Sequence, residues 1–255
     1  MLQVDVQGSG PALVLLHGWG LHGEVFAPLL PALCQRHTVY RVDLPGHGRS
    51  AGHPIPATLA GWACAVVDAV PPAHWLGWSL GGLVALQAAL VHPGRIASLT
   101  MVAASPCFAR RADWPHGIAP TLLDGFSSHL QHHYDDTVDR FLALDLLNLD
   151  GGQLAAGRLR DTLLAVGRPD PQAVQLAGQL LLHSDLRARL PALAMPSLWL
   201  GGGRDRLVAP GSITTAAGMT AGAEQRLYPR SGHAPFLGDT AAVADDLSAF
   251  LDSIN

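Results

Sequence analysis

A serine flanked by glycines is the residue in this sequence best placed to act as a nucleophile. Gly77-Trp78-Ser79-Leu80-Gly81 matches the GxSxG pattern, in which the serine occupies a sharp turn between a strand and a helix. The apolar run His74 to Trp78 leads into the turn, and a stretch rich in Gly, Leu and Ala leaves it. The pattern predicts nucleophilic catalysis by Ser79. The alternative is a serine in an ordinary glycine-rich turn.

A serine hydroxyl needs a base to take its proton, and the base needs a carboxylate to orient it. Asp205 follows the apolar run Ser197 to Leu200 and three glycines, and His233 follows a last short strand. Serine, acid and histidine in this chain order, each after a strand, is one of the known arrangements of a catalytic triad. We therefore predict His233 as general base and Asp205 as its orienting acid, with Asp113 and Asp124 as alternatives for the acid.

Four other histidines compete for the role of base. His132 and His133 lie among aspartates, and we expect them to be solvated. His17 precedes a glycine-rich turn, where its ring is expected to brace the loop, and His47 lies in a loop that could border a pocket. None of these follows the acid in chain order, which favours His233.

Ester hydrolysis also needs backbone N–H groups directed at the oxygen that becomes negatively charged. One is expected from Leu80, directly after the nucleophile. The other is expected from Trp19, in the turn His17-Gly18-Trp19-Gly20 that follows an early apolar run. The Trp19 indole is also expected to cover an acyl pocket, whereas the alternative for this segment is a plain strand-to-helix turn.

The elements that position these residues are short apolar runs alternating with helical patterns. Buried strands that alternate with helices predict an α/β protein with a mostly parallel sheet covered on both faces. The predicted strands are Ala12–Leu16, Thr38–Val42, His74–Trp78, Ser98–Ala103, Ser197–Leu200 and Arg226–Pro229, and the predicted helices are Val25–Cys34, Thr58–Val70, Leu83–Val91 and Ala241–Leu251.

The alternation stops between Cys107 and Leu190, where helical patterns occur without a convincing strand. Examples are Thr121–Leu130, Val138–Leu147 and Leu154–Val166. We interpret residues 107–190 as a helical lid inserted before the last strands. Residues 1–106 and 191–255 would then form the core domain.

Composition removes several classes of function. All 16 basic residues are arginines, so no lysine can form a Schiff base or complete a phosphate loop. A net charge of −4 without a basic stripe argues against nucleic acid as a partner. The three cysteines have neither disulfide nor metal spacing, and residues 1–10 do not resemble a secretory signal. We expect a cytoplasmic monomer with no membrane span, no metal and no cofactor.

Taken together, these segments resemble the α/β-hydrolase superfamily, and more closely the pimeloyl-[acyl-carrier protein] methyl ester esterases of biotin synthesis. The match extends along most of the chain. The early loops and the GxSxG pattern are shared widely, whereas three features carry the closer match. They are the tryptophans around Ser79, the Ser105-Pro106-Cys107-Phe108 segment and the segment Arg140-Phe141-Leu142-Ala143-Leu144.

The resemblance implies hydrolysis of a methyl ester on a pimeloyl chain carried by acyl carrier protein. The family's triad maps onto Ser79, Asp205 and His233. Its substrate contacts map onto Trp19, Ser79, Leu80, His233 and the segment Phe141, Leu142, Ala143, Leu144 and Asp145. Its basic contacts to the acidic carrier map onto Arg140. Asp136 and Gln153 stand where further basic residues would be expected, and Arg158 and Arg160 could compensate.

Two other functions remain open at this point. One is a general short-acyl carboxylesterase or a carbon–carbon bond hydrolase with the same triad, because a fold does not by itself select a substrate. The other is a non-catalytic binding protein of the same fold. An intact triad argues against the second.

Overall fold

The computed structural model describes residues 1–146 and 152–254, and a seven-stranded sheet forms its centre. Its strands lie in the order β1-β3-β2-β4-β5-β6-β7, and all neighbours are parallel except β1 and β3. The strands are β1 Val4–Gly8, β2 Ala12–Leu16, β3 Thr38–Val42, β4 Ala73–Trp78, β5 Ile96–Val102, β6 Ser197–Gly202 and β7 Glu224–Tyr228.

Ten α-helices belong to the described residues. They are α1 Leu30–Leu33, α2 Leu59–Val67, α3 Leu80–Val91, α4 Pro120–His132, α5 Tyr134–Leu146, α6 Gly152–Ala165, α7 Pro171–His183, α8 Pro210–Gly218, α9 Pro235–Gly238 and α10 Thr240–Ser253. Every residue of β4 and β6 is buried, so both faces of the sheet centre are covered. The predicted α/β architecture with a mostly parallel sheet is confirmed.

The predicted strands all exist, with ends shifted by up to two residues. One strand was missed: β1, which pairs antiparallel with β3 at the sheet edge. Its first two residues are half-buried and its last three are exposed, so it lacks the continuous apolar run of the inner strands. An edge strand without that run gives a weak sequence signal.

The helix predicted over Val25–Cys34 is wrong in its details. The chain instead forms a 3₁₀-helix over Gly23–Leu29 and then the single turn α1. Pro28 lies inside the first piece and Pro31 at the start of the second. Proline has no N–H to donate and its ring crowds the preceding turn, so a continuous α-helix cannot form there.

Between β5 and β6 the described residues contain the four helices α4 to α7 and two isolated β-bridges, Ala109 with Ile118 and Arg111 with Trp114. Helix α7 was not predicted, and Leu147, the last residue of one predicted helix, lies outside the described residues. The division into a lid and a core at residues 107 and 190 stays a prediction. Within the described part of the chain, no helix has the length and apolar character to cross a membrane.

Candidate active site

Ser79 lies on a strained turn between β4 and α3. Its φ of 54° and ψ of −118° are unusual for a residue with a side chain. A Cβ on Gly77 would lie 2.4 Å from the Gly81 carbonyl oxygen, and one on Gly81 would lie 2.2 Å from the Leu16 carbonyl oxygen. Glycine is therefore required on both sides of the serine, because the backbone of the turn is packed against itself and against the end of β2.

The loops after β6 and β7 bring an acid and a base to this serine. The Ser79 hydroxyl donates to Nε2 of His233 at 2.9 Å, and Nδ1–H of His233 donates to Oδ2 of Asp205 at 2.8 Å. The serine is 8% exposed, and the Asp205 side chain is fully buried. The structure thus joins Ser79 to a histidine 154 positions later in the chain.

Asp205 is held in place by its own loop. Its Oδ1 accepts hydrogen bonds from the backbone N–H groups of Leu207 at 2.7 Å and Val208 at 3.0 Å. The other oxygen, Oδ2, remains for the histidine ring. The carboxylate therefore fixes both the orientation of the imidazole and the position of its proton on Nδ1.

Burial and the neighbouring carboxylates act in opposite directions on His233. Burial lowers the pKa of the ring, but the charge of Asp205, its hydrogen bond and the charge of Asp145 together raise the pKa of His233 above its ordinary value. A carboxylate beside the ring stabilises the imidazolium that forms when the serine proton is transferred. The two carboxylates thus more than offset the effect of burial on this ring.

The alternatives for acid and base lie elsewhere. Asp113 is exposed and is paired with Arg187, and Asp124 is exposed on α4. His132 and His133 are exposed as well. None of the four contacts Ser79 among the hydrogen bonds and ion pairs of the described residues.

His17 and His47, the other two candidates, are buried in the loops after β2 and β3. Nδ1–H of His17 donates to the Gly18 carbonyl at 2.8 Å, and its Nε2 accepts from the Leu44 N–H at 2.9 Å. His17 therefore joins the two loops, which confirms its predicted role as a brace. Burial lowers the pKa of His17 and lowers that of His47 to about 4, so both rings are neutral near pH 7.

The two predicted oxyanion donors lie in segments next to the Ser79 turn. Leu80 is the first residue of α3, and Trp19 lies in the loop after β2, against which Gly81 packs. Within residues 1–146 and 152–254, neither backbone N–H donates to an acceptor. The first N–H groups of a helix have no partner in the helix, and they carry the positive end of its dipole. The arrangement leaves two donors available to a ligand.

The Trp19 side chain connects the core to the helices between β5 and β6. Its indole N–H donates to the Val174 carbonyl of α7 at 3.0 Å, and its ring lies 5.2 Å from that of Phe126 on α4. On α5, Phe141 lies 5.4 Å from the Trp78 ring, next to the nucleophile. These aromatic rings form apolar surface on the helical side of the site.

The residues of segment 141–145 differ in burial, and their contact with substrate stays a prediction. Leu142 is buried and Ala143 is half-buried, whereas Leu144 is 78% exposed. Asp145 is buried, and its Oδ1 accepts from the Ala234 N–H at 3.1 Å. The carboxylate thus faces the loop of His233.

Sequence reasoning missed this position of Asp145, although a signal was present. The buried residues of α5 recur at helical spacing, and Asp145 occupies one place on that otherwise mostly apolar stripe, between Leu142 and Leu146. A charged residue on the buried face of a helix points to a specific partner, because an unpaired buried carboxylate is costly. That partner is the histidine loop.

The three predicted carrier contacts differ in their surroundings. Arg140 on α5 and Arg158 on α6 are exposed, and neither has an ion-pair partner among the described residues. Arg160 pairs with Asp139, which joins α6 to α5. Two cationic side chains are thus available to a partner, and the third is shared with a neighbouring helix. The search for clusters of metal-ligating side chains, limited to the described residues, finds none.

A family model described as alpha/beta hydrolase fold matches residues 11–240. A pimeloyl-[acyl-carrier protein] methyl ester esterase of Xanthomonas oryzae pv. oryzae is 46% identical over 253 residues, which are 99% of this chain and 100% of that protein. Proteins of the same name from Xylella fastidiosa and Stenotrophomonas maltophilia are 44% and 43% identical, over at least 98% of both chains.

Solved structures agree on the fold. An esterase from Exiguobacterium antarcticum superposes with a TM-score of 0.86 at 21% identity, covering 98% of this chain and 95% of its own. A hydrolase from Pseudomonas aeruginosa gives a TM-score of 0.81 at 26% identity, covering 98% and 94%. The first of these likenesses concerns the fold alone.

Proposed function

Since this chain belongs to the α/β-hydrolase family and, within it, to the pimeloyl-[acyl-carrier protein] methyl ester esterases, we propose that Ser79, His233 and Asp205 are its catalytic residues. The chain is a carboxylic ester hydrolase acting on the methyl ester of pimeloyl-acyl carrier protein. The continuous hydrogen-bond chain from Ser79 through His233 to Asp205 is the observation that carries the assignment of roles. The identity of the substrate rests on the family assignment.

The first half of the reaction acylates the serine. Ser79 Oγ attacks the ester carbonyl carbon while Nε2 of His233 takes the hydroxyl proton. The carbonyl oxygen becomes an oxyanion, and the N–H groups of Trp19 and Leu80 are proposed to stabilise it. When the tetrahedral intermediate collapses, His233 returns the proton to the methoxy oxygen and methanol leaves.

The second half releases the acid. A water molecule attacks the acyl-serine carbonyl carbon while His233 takes one of its protons. Collapse of the second intermediate returns that proton to Ser79 Oγ and frees the carboxylic acid. Asp205 stabilises the imidazolium in both halves without itself taking the proton.

The test of this proposal is the loss of the nucleophile. Ser79→Ala should reduce ester hydrolysis by about 10³-fold or more, because the triad acts as a unit. It should also abolish covalent labelling by a fluorophosphonate, while circular dichroism shows an unchanged fold. A folded Ser79→Ala protein with a tenth of wild-type activity would remove Ser79 from the mechanism. Labelling of the wild type also separates an enzyme from a binding protein of the same fold.

The place of the reaction in biotin synthesis is tested in cells. The gene should restore growth without biotin to a host that lacks its own esterase, and the Ser79→Ala version should not. Failure of the active wild type to restore growth would favour a general esterase. We further propose a cytoplasmic location, supported by free Cys34, Cys64 and Cys107 among the described residues.

Phe141 is proposed to line the acyl pocket together with Trp19. It is half-buried and stacks near Trp78, beside the nucleophile. Phe141→Ala should therefore raise KM for pimeloyl-type methyl esters more than for acetate esters, because only the longer chain reaches the missing ring. Equal effects on both substrates would assign Phe141 to helix packing.

Contact with the acidic carrier is proposed for Arg140, Arg158 and Arg160. Cations on α5 and α6 would speed encounter with an acidic protein through a field that salt screens over about 10 Å. Reversing all three to Glu should lower kcat/KM for the carrier-bound ester and flatten its salt dependence, while hydrolysis of a small free ester hardly changes. Reversing Arg36, Arg49 and Arg226, three exposed arginines outside residues 107–190, makes the same change in net charge and is the matched control. Equal activity of both variants on the carrier substrate would contradict the proposal.

A further inference from the structure

A second buried carboxylate, Asp145 of α5, lies against the loop that carries His233. Its Oδ1 accepts from the Ala234 N–H at 3.1 Å. The loop passes so close that a Cβ on Gly232 would lie 2.7 Å from the same oxygen. Asp145 therefore contacts the backbone on both sides of the histidine. Asp205, by contrast, contacts the ring.

The core holds the same loop from a second direction. The indole N–H of Trp78, the residue before the nucleophile, donates to the His233 carbonyl at 2.8 Å. The Trp78 ring also lies 5.6 Å from the imidazole and 5.4 Å from Phe236. The carbonyl of residue 233 is thus held by β4, and the next N–H is held by α5. The backbone at His233 is therefore held on one side by Trp78 of β4 and on the other by Asp145 of α5.

The charged groups around His233 come from several elements. Asp205 reaches it from the loop after β6, and Asp145 reaches its loop from α5. Within the loop, Ser231 donates to Asp239 at 2.5 Å and accepts, through its carbonyl, from the Arg204 N–H at 3.0 Å. Two buried carboxylates, Asp205 and Asp145, therefore raise the pKa of one imidazole. Only Asp205 belongs to the proposed triad.

The electrostatic consequence follows from the burial of Asp145. Burial raises the pKa of this carboxyl group, whereas the Ala234 N–H and the positive charge of His233 lower it. The ionised form is thus stabilised most when the imidazole is protonated. By reciprocity, the Asp145 charge raises the pKa of His233, in addition to the larger effect of Asp205.

We propose that Asp145 is a positioning residue for the general base, which holds the loop of His233 to α5 and supports the imidazolium formed during proton transfer. This inference rests on the proposed function, because it needs His233 to act as base. It also gives α5 a part in catalysis, because the position and basicity of His233 then depend on the contact between this helix and the histidine loop.

The decisive experiment is the pH profile of Asp145→Asn, measured on a small free ester such as p-nitrophenyl butyrate. Asparagine keeps an oxygen for the Ala234 N–H and removes only the charge. Without that charge the imidazolium is less stable, so the pKa of the base falls. The acid limb of kcat/KM should move to lower pH by about half a unit. Plateau kcat should fall about threefold, the rate equivalent of half a pKa unit, with KM unchanged.

Matched variants separate the effect of the Asp145 charge from the effect of holding the histidine loop in place. Asp136→Asn removes one carboxylate from the exposed face of the same helix, and its profile should superimpose on that of the wild type. Trp78→Phe removes the hydrogen bond to the His233 carbonyl and no charge, so kcat should fall while the acid limb stays in place. Asp145→Ala should combine the shifted limb with a further loss of kcat.

Two results would overturn the proposal. If Asp145→Asn gave the same acid limb as Asp136→Asn, Asp145 would not act on the base. If it raised KM with the limb unmoved, the residue would contact substrate, as the family resemblance implied. Failure of the proposed function is distinguishable from both, because the wild type itself would then show neither ester hydrolysis nor labelling by a fluorophosphonate.

Discussion

Buried histidines occur in two regions of this molecule and behave in opposite ways. His17 and His47, which we call the brace histidines, lie in the loops after β2 and β3, and His233 lies in the loop after β7. Burial acts on all three rings. It lowers the pKa of both brace histidines, whereas the pKa of His233 is raised. The difference lies in the hydrogen-bond partners of the rings, which are backbone groups for the brace histidines and include a carboxylate for His233.

Each region has its own buried carboxylate, but the two are used differently. Asp43 accepts from the backbone N–H groups of Gly23 at 2.8 Å and Arg49 at 2.9 Å, one with each oxygen. Asp205 satisfies its two backbone donors with a single oxygen and gives the other to His233. Burial beside a carboxylate is therefore insufficient to make a base. A free carboxylate oxygen must reach the ring.

The largest expected effect comes from removing that oxygen. Asp205→Asn would present an amide N–H to Nδ1 and favour the tautomer with its proton on Nε2, which cannot accept from Ser79. We expect kcat to fall about 10⁴-fold with the fold intact. The measurement is steady-state hydrolysis of a small ester, with circular dichroism for structure.

Asp43→Asn is the matched control for this experiment. It replaces a buried carboxylate beside buried histidines with the same amide, but it leaves His233 untouched. Its activity should stay within about tenfold of the wild type, with the loss assigned to weaker support of the loop. Equal inactivation of two well-folded variants would contradict the distinction between the two regions.

A smaller effect is expected when a brace histidine is removed. His17→Ala leaves the buried Leu44 N–H without an acceptor and opens a cavity between the two loops. The free energy of unfolding should fall by about 2 to 3 kcal/mol, as measured by urea denaturation. The acid limb of the activity profile should not move, because His17 does not titrate in the reaction. A shifted limb would give His17 a part in the proton transfer. His132→Ala, at an exposed site, should change stability by less than about 0.5 kcal/mol.

The smallest effect is a pH dependence of stability from His47. Its pKa is about 4 in the folded chain and near 6.5 when unfolded, so between these values the unfolded chain binds the extra proton. Stability is then lost as pH decreases through the unfolded pKa, by about 1 kcal/mol between pH 6.5 and 5.5 from this residue alone. The shift of His233 has the opposite sign and acts above pH 6.5, so it does not cancel this loss.

His47→Gln isolates this contribution. Urea denaturation of wild type and variant at pH 6.5 and 5.5 should show a smaller loss in the variant, and His17 accounts for part of what remains. Identical losses in the two proteins would mean that His47 is not held neutral by burial. The brace histidines would then differ less from His233 than the structure indicates.

The elements around the nucleophile were predictable because their signals are local. Strands β2 and β3 have the bounds that their apolar runs indicate. The turn at Ser79 is indicated by Gly77 and Gly81, because a backbone packed this closely has no room for a side chain at either position. Strand β1 and helices α7, α8 and α9 were missed. The split of Val25–Cys34 could have been expected from Pro28 and Pro31. These errors concern secondary structure within short segments of the chain.

Asp145 and Leu144 differ in a way that the sequence did not predict. The two residues are adjacent, and a family pattern assigned both to an acyl pocket, which stays a prediction. The structure exposes Leu144 and buries Asp145 against the histidine loop. Which side of α5 meets that loop depends on how the helix packs on the core, and neighbouring helical positions point about 100° apart.

By itself the sequence determined the fold class, the chain order of serine, acid and histidine, and the strained turn that carries Ser79, because the sequence signal for each element is local. Only the tertiary structure decided which of the 13 histidines hydrogen-bonds to a buried carboxylate and so has a raised pKa. It did so by bringing Asp205 within 2.8 Å of one imidazole and enclosing two others among backbone groups. The direction of a histidine's pKa shift is set by charges within a few ångströms in space, and separation along the chain does not specify those distances.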